Sequence, residues 1–82
     1  MCLGIPGQIV EIVDAEKQFG RVEVLGSTRT VHFAMLAPEE VQIGTWVLIN
    51  AGMAISPLEA DEASQLLQFI EELDRQFEEE QP

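Results

Sequence analysis

Apolar and polar positions along this chain follow two different periods, and the change between them divides it. From Gln8 to Val13 polar and apolar residues interleave with a period close to two, and Arg21-Val22-Glu23-Val24 repeats the alternation before Leu25-Gly26 turns the chain. Ser27 to Phe33 alternates again, with Arg29, Val31 and Phe33 on one face and Thr28, Thr30 and His32 on the other, the pattern of a half-buried strand. The segment from Ala37 to Gly44 reads as a connection. It leads into the strongest strand candidate, Trp46-Val47-Leu48-Ile49-Asn50, with Trp46 as a core anchor and Ala54-Ile55 as a continuation after a break at Gly52. Short, closely spaced strands with glycine turns predict a small closed or half-closed barrel, because closure removes the exposed edges of a small sheet.

The period then lengthens. Ala63, Leu66, Leu67, Ile70, Leu73 and Phe77 fall on one stripe of an α-helix whose opposite face is acidic. Ser56-Pro57-Leu58-Glu59 fits a capping box with proline at the first helical position, and Asp61 is a second candidate cap. Some twenty residues at about 1.5 Å each make a rod of roughly 30 Å, longer than a small barrel is wide, so its end is expected to project and the Glu78–Pro82 end to fray. The expected fold is mainly β: one domain, with a barrel over 1–56 and an amphipathic helix and acidic tail over 57–82.

Composition narrows what such a domain does. Eighty-two residues make one small domain that buries only about 60% of its unfolded surface, which leaves little room for a deep internal cavity. A net charge of −11 repels phosphate backbones and anionic lipid, so neither nucleic acid nor a membrane surface is an expected partner. The charge is uneven: residues 1–58 hold six acids and three bases, and residues 59–82 hold nine acids and only Arg75. No basic segment followed by an apolar run opens the chain, and no run of apolar residues is long enough to span a bilayer, so the expected compartment is a reducing cytoplasm. One cysteine and one histidine do not complete a four-ligand structural zinc site without carboxylates or a second chain.

The cysteine is informative through its place. Removal of Met1 makes Cys2 the N-terminal residue, with a thiol and an α-amine on adjacent carbons. A nearby ammonium favours the thiolate, a soft ligand suited to iron or copper(I). Taken alone, Cys2 reads equally well as a small buried apolar residue. In Gly4-Ile5-Pro6-Gly7, proline biases Ile5 to an extended conformation and the glycines allow close approach or positive φ, so the segment reads as a stiff stalk presenting the thiol or as a plain turn into the first strand. An N-terminal-nucleophile hydrolase needs a positioned base and an oxyanion hole, and one histidine in so small a domain offers little of either, so no enzyme activity is expected.

The block Met1-Cys2-Leu3-Gly4-Ile5-Pro6-Gly7-Gln8-Ile9, with Gly44-Thr45-Trp46-Val47-Leu48-Ile49, Gly52-Met53-Ala54-Ile55 and Leu58-Glu59-Ala60-Asp61-Glu62-Ala63, resembles the HypC/HybG/HupF family of [NiFe]-hydrogenase maturation chaperones. The resemblance runs from residue 1 to about 75 and implies an oligonucleotide-binding-like (OB-like) β-barrel with a C-terminal helix. It further implies a carrier that binds a HypD-type iron–sulfur scaffold protein and escorts an Fe(CN)₂CO group to the precursor of the hydrogenase large subunit. In that family the N-terminal cysteine binds the iron and contacts both partners, and it maps onto Cys2. Cyanide and carbonyl fill most of the iron's coordination sphere, so one thiolate, with a partner's cysteine, meets the remaining need.

One position departs from the family. Asn50 stands where the family has a histidine and Met53 where it has a phenylalanine, and an amide is a poorer metal ligand and proton shuttle than an imidazole. His32 is a tempting replacement ligand, but it lies on the Thr28/Thr30 face of its strand, where a solvated side chain is the stronger reading. The helical stripe reads as cover for the barrel, with the end near Phe77 as a docking surface in the second reading. The competing function is a protein-interaction adaptor in which Cys2 has no ligand role.

Overall fold

The computed structural model describes residues 4–14, 16 and 18–80, with the last five by backbone alone. Five strands, β1 (Ile5–Ile12), β2 (Phe19–Val24), β3 (Ser27–His32), β4 (Trp46–Asn50) and β5 (Met53–Leu58), precede one long helix, α1 (Ala60–Glu80). The strands close into a barrel in the order β1-β2-β3-β5-β4, with β4 pairing back onto β1. The OB-like, mainly β arrangement expected from the sequence is therefore present, with every ladder antiparallel except the short parallel contact of β3 with β5 at His32 and Met53.

Local chemistry explains the turns. The carboxylate of Asp14 accepts hydrogen bonds from the Gln18 and Phe19 N–H groups and holds the β1–β2 connection. The β2–β3 and β4–β5 hairpins each turn on two residues with positive φ, Leu25 (50°) with Gly26 (87°) and Ala51 (54°) with Gly52 (77°). Positive φ at both central residues matches the right-handed twist of the flanking strands, so the glycines suit these turns while Leu25 and Ala51 adopt a conformation that costs a residue with a Cβ about 1–2 kcal/mol.

Two sequence expectations change. The first strand begins at Ile5, so Gly4-Ile5-Pro6-Gly7 is neither a free stalk nor a turn: Ile5, Pro6 and Gly7 pair with Ile49, Leu48 and Val47. Pro6 lies where β1 has a partner on one side only, and there a missing N–H is tolerated. Likewise Met53–Leu58 is not a continuation of β4 but its hairpin partner, and Ser56 and Pro57 are strand residues paired with Leu48 and Val47. The helix starts at Ala60. Its first turn is closed by the Glu62 carboxylate, which accepts the Glu59 N–H at 3.0 Å, and by the Glu59 carbonyl, which accepts the Ala63 N–H at 3.0 Å. Neither Ser56 nor Asp61 is the cap, and helical backbone continues through Glu78 to Glu80 where fraying was expected; Gln81 and Pro82 lie outside the described residues.

Inside the barrel, Ile9, Val22, Val31, Phe33, Val47 and Ala54 form the core, and Leu36 and Val41 from the β3–β4 connection fill one end. Trp46 is not the core anchor its size suggests: it is half-buried, paired with Gln8 and Leu58 on the outer face, and Val47 is the inward residue. Helix α1 packs on β1 and β4, with Ala63 fully buried and Leu67 and Ile70 half-buried. Leu66, Leu73 and neighbouring Phe69 stay exposed, and the overall extents of 49 × 22 × 21 Å show that the helix projects well past the barrel.

Gly20 faces the core where a Cβ would meet the Glu11 carbonyl oxygen and, at 2.5 Å, the Phe33 ring. Gly20→Ala is expected to lower stability by about 1–3 kcal/mol through overpacking. Leu25→Asn, which gives the β2–β3 turn its preferred Asn-Gly pair, is expected to raise it by about 1 kcal/mol. Urea unfolding of the purified chain measures both.

Candidate functional site

Register determines which residues meet at the open end of the barrel. Residues directly opposite one another in an antiparallel ladder share a face, so Gly20, Val22 and Val24 of β2 face inward with Val31, Arg29 and Ser27 of β3. Ile5 and Gly7 of β1 face inward with Ile49 and Val47 of β4. The first strand starts and the second ends at the same end of the barrel, opposite the end filled by Leu36 and Val41. There the inward rows terminate in a cleft of ≈ 420 Å³. Its floor is Ile5, Val24 and Ile49, its lips are Leu25 and Ala51 at the two hairpin tips, and its polar groups are Ser27, Arg29 and Asn50.

The electrostatics of the cleft oppose those of the chain. Among the described residues Arg29 is the only ionised one lining it, in a protein of net charge −11. None of the side-chain hydrogen bonds among the described residues involves Arg29. Leu25 and Ala51, the non-glycine residues with positive φ among the described residues, border this cleft at the two hairpin tips.

Cys2 lies outside the described residues. Covalent geometry nonetheless bounds its reach: two residues separate it from Ile5, so three Cα–Cα steps keep its Cα within about 11 Å of the Ile5 Cα. Gly4 anchors this segment at φ 129°, so close to β4 that a Cβ would sit 2.9 Å from the Ile49 carbonyl oxygen. Asn50, the position that departs from the family pattern, is exposed on the rim.

His32 is not brought to this site. Its ring packs edge-on against Phe19 with centroids 4.4 Å apart, its Nδ1 accepts the Ala34 N–H at 3.1 Å, and its own backbone N–H donates to the Gly52 carbonyl. No three His, Cys, Asp or Glu side chains among the described residues are grouped to hold a metal ion. No helix of the structure is long and apolar enough to cross a membrane. Phe77 belongs to α1, and its side chain lies outside the description.

Sequence reasoning missed Arg29 and Ser27 as site residues, although a signal was present. Arg29 shares its alternation with Val31 and Phe33, so a charge falls in the inward register of a strand, which a uniformly buried face does not tolerate.

Comparison with known proteins agrees with the expected family. Residues 1–70 match the model of the HupF/HypC family. The chain is 43% identical over 75 residues to the hydrogenase maturation factor HypC of Rhodobacter capsulatus, covering 89% of this chain and 78% of that protein. It is 35% identical over 77 residues to the hydrogenase maturation factor HybG of Escherichia coli K12, covering 90% and 93%. A third relative, the Frd operon uncharacterized protein C of Proteus vulgaris, is 41% identical over 69 residues, covering 82% and 72%.

The local contacts of His32 predict a structural role. His32→Ala is expected to cost about 1 kcal/mol through loss of the edge-on pair with Phe19, whereas His32→Phe, which keeps an aromatic ring there, should recover most of that loss in thermal unfolding.

Proposed function

The chain belongs to the HupF/HypC family of hydrogenase maturation factors, and on that footing we propose that it binds a HypD-type scaffold protein and carries an Fe(CN)₂CO group to the precursor of a [NiFe]-hydrogenase large subunit. The observation that supports this reading is the barrel mouth, where Gly4 and Ile5 are held against Ile49 beside a cleft whose ionised lining residue, Arg29, is opposite in charge to the chain.

In this reading Cys2 supplies the thiolate that ligates the iron. Thiolate is a soft donor, and its α-ammonium neighbour favours the deprotonated form near neutral pH. The cyanide and carbonyl ligands travel with the iron as cargo, so the carrier provides one donor and a partner's cysteine another. That division suits transfer, because neither protein holds the iron with a complete ligand set and exchange of one thiolate for another moves it onward. Recognition of partners falls to the projecting helix, where Phe69 is 58% and Leu73 50% exposed. The role is that of a carrier in the cytoplasm; it assigns the chain no catalytic residue and no nucleic-acid or membrane partner.

Cys2→Ala and Cys2→Ser are expected to fold normally yet lose stable association with the HypD-type partner, together with the infrared bands of bound cyanide and carbon monoxide. Normal copurification of both variants, with the bands intact, would leave only an adaptor in which Cys2 is no ligand. Asn50→His should be tolerated; higher iron content in its complex would mark Asn50 as a weakening of metal handling, and unchanged content would show that the rim position does not bear on it. Phe69→Glu with Leu73→Glu is expected to weaken partner capture at least tenfold without lowering the stability of the barrel, as read by titration and urea unfolding.

A further inference from the structure

Two bonds at the end of β3 fix the directions of its backbone groups. The His32 N–H donates to the Gly52 carbonyl and the Phe33 N–H to the Gln18 carbonyl, so His32 is turned toward β5 and Phe33 toward the β2 side. Backbone groups alternate sides along a strand in an antiparallel ladder. Val31, Arg29 and Ser27 therefore bond to β2, and the N–H and C=O of Thr30 and Thr28 point to the opposite edge. That edge is open. Among the described residues β3 meets β5 only at His32 and Met53, because the β4–β5 hairpin reverses at Ala51-Gly52 and offers no strand further along β3. Nor does Thr28 or Thr30 make any other hydrogen bond there among the described residues. Ser27, Thr28, Arg29 and Thr30 are all exposed, and α1 packs elsewhere, on β1 and β4.

Proteins commonly blunt an open edge with proline, lysine or a bulge. Past Met53, β5 carries both Pro57 and a bulge at Ile55. β3 carries no proline and no lysine, and its ladder with β2 runs from Ser27 to His32 without a register shift. The unprotected edge also borders the cleft, since Arg29 and Ser27 line it.

We propose that the edge formed by Thr28 and Thr30 takes up an extended segment of a partner protein as an added antiparallel strand. The segment carries a carboxylate opposite Arg29 and an aliphatic side chain two residues away, over the apolar floor of Ile5, Val24 and Ile49. Opposite residues of a ladder share a face, so the side chain across from Arg29 is turned to the cleft. There it meets an exposed guanidinium that makes no side-chain hydrogen bond among the described residues. Charge selects this occupant over a second copy of the chain. The register that satisfies both threonines of two copies sets two Arg29 side chains opposite each other, and each copy carries a net charge of −11. Strand addition goes beyond the carrier reading and requires neither iron nor any residue before Gly4.

The probe is a blocked peptide, acetyl-Thr-Val-Thr-Glu-Thr-Val-Thr-amide, titrated into the isotopically labelled whole chain. Saturable binding is expected, with amide exchange slowed at least tenfold at Thr28 and Thr30 and little changed at Arg29 and Val31, which already bond to β2. The same peptide with Lys in place of Glu should bind about threefold more weakly or worse, and one N-methylated at the two threonines flanking Glu should not bind. Thr30→Pro removes an edge-facing N–H and no ladder bond, so it is expected to keep the fold while weakening binding about fivefold or more. Arg29→Glu, at an exposed position, should reverse the preference toward the Lys peptide, and it decides alone if Thr30→Pro unfolds the chain. Absence of saturation at millimolar peptide, equal binding of the Glu and Lys peptides, or shifts confined to Leu66, Phe69 and Leu73 of α1 overturns the proposal. A dimer in sedimentation that Thr30→Pro dissolves assigns the edge to a second copy and overturns it as well. None of these readouts involves iron, so a failure here leaves the carrier reading to the Cys2 variants and the infrared bands.

Discussion

The arrangement depends on one strand being paired on both sides. β1 is bonded to β4 along its first half and to β2 along the rest, with Gln8 common to both ladders, and this double pairing closes the barrel. The switch is made possible by a bulge at Val10, where β1 carries one residue more than β2. Beyond the β4 ladder, the Ile9 N–H and C=O bond to Thr45 and Gly44, so β1 keeps a partner on that side. Closure imposes the close approaches at Gly7 and Gly20, where a methyl group would strike Val22 and Ile49 in one case and Phe33 in the other. It also anchors the N-terminal segment at the barrel mouth, because the first residues of β1 are held against the last residues of β4.

From that anchoring follows a division of the molecule into two working ends. The mouth is apolar with a single cation, and the helix is acidic along one side with exposed Leu66, Phe69 and Leu73 along another. Nine of the fifteen acids lie within residues 59–82, on and just before a helix that extends beyond a barrel some 20 Å across.

Much of the barrel was legible in the residues, for identifiable reasons. Alternation located β2, β3 and β4 closely; β2 shows why most plainly, with Gly20, Val22 and Val24 buried between exposed neighbours. It failed for the start of β1 and for β5, where Pro6, Gly7, Ser56 and Pro57 break the polar–apolar pattern and imitate a turn and a helix cap. Both segments are strands because a neighbour supplies the ladder on one side and the other side asks nothing of the proline. The helical stripe was legible as a stripe, but its periodicity does not show how far the barrel reaches along it: Ala63 is buried, and Leu73 is half exposed.

By itself the sequence determined the class of fold, the family, the segregation of charge and the placing of one thiol at position 2, since these rest on local period, composition and motif. Only the tertiary structure decided that Arg29, Ser27 and Asn50, from two strands that do not pair with each other, border one cleft at the end of the barrel where β1 begins. The physical reason is that their meeting depends on barrel closure and ladder register. These are long-range properties set by β1 pairing with β4 and by the bulges at Val10 of β1 and Ile55 of β5, and no short stretch of sequence contains them.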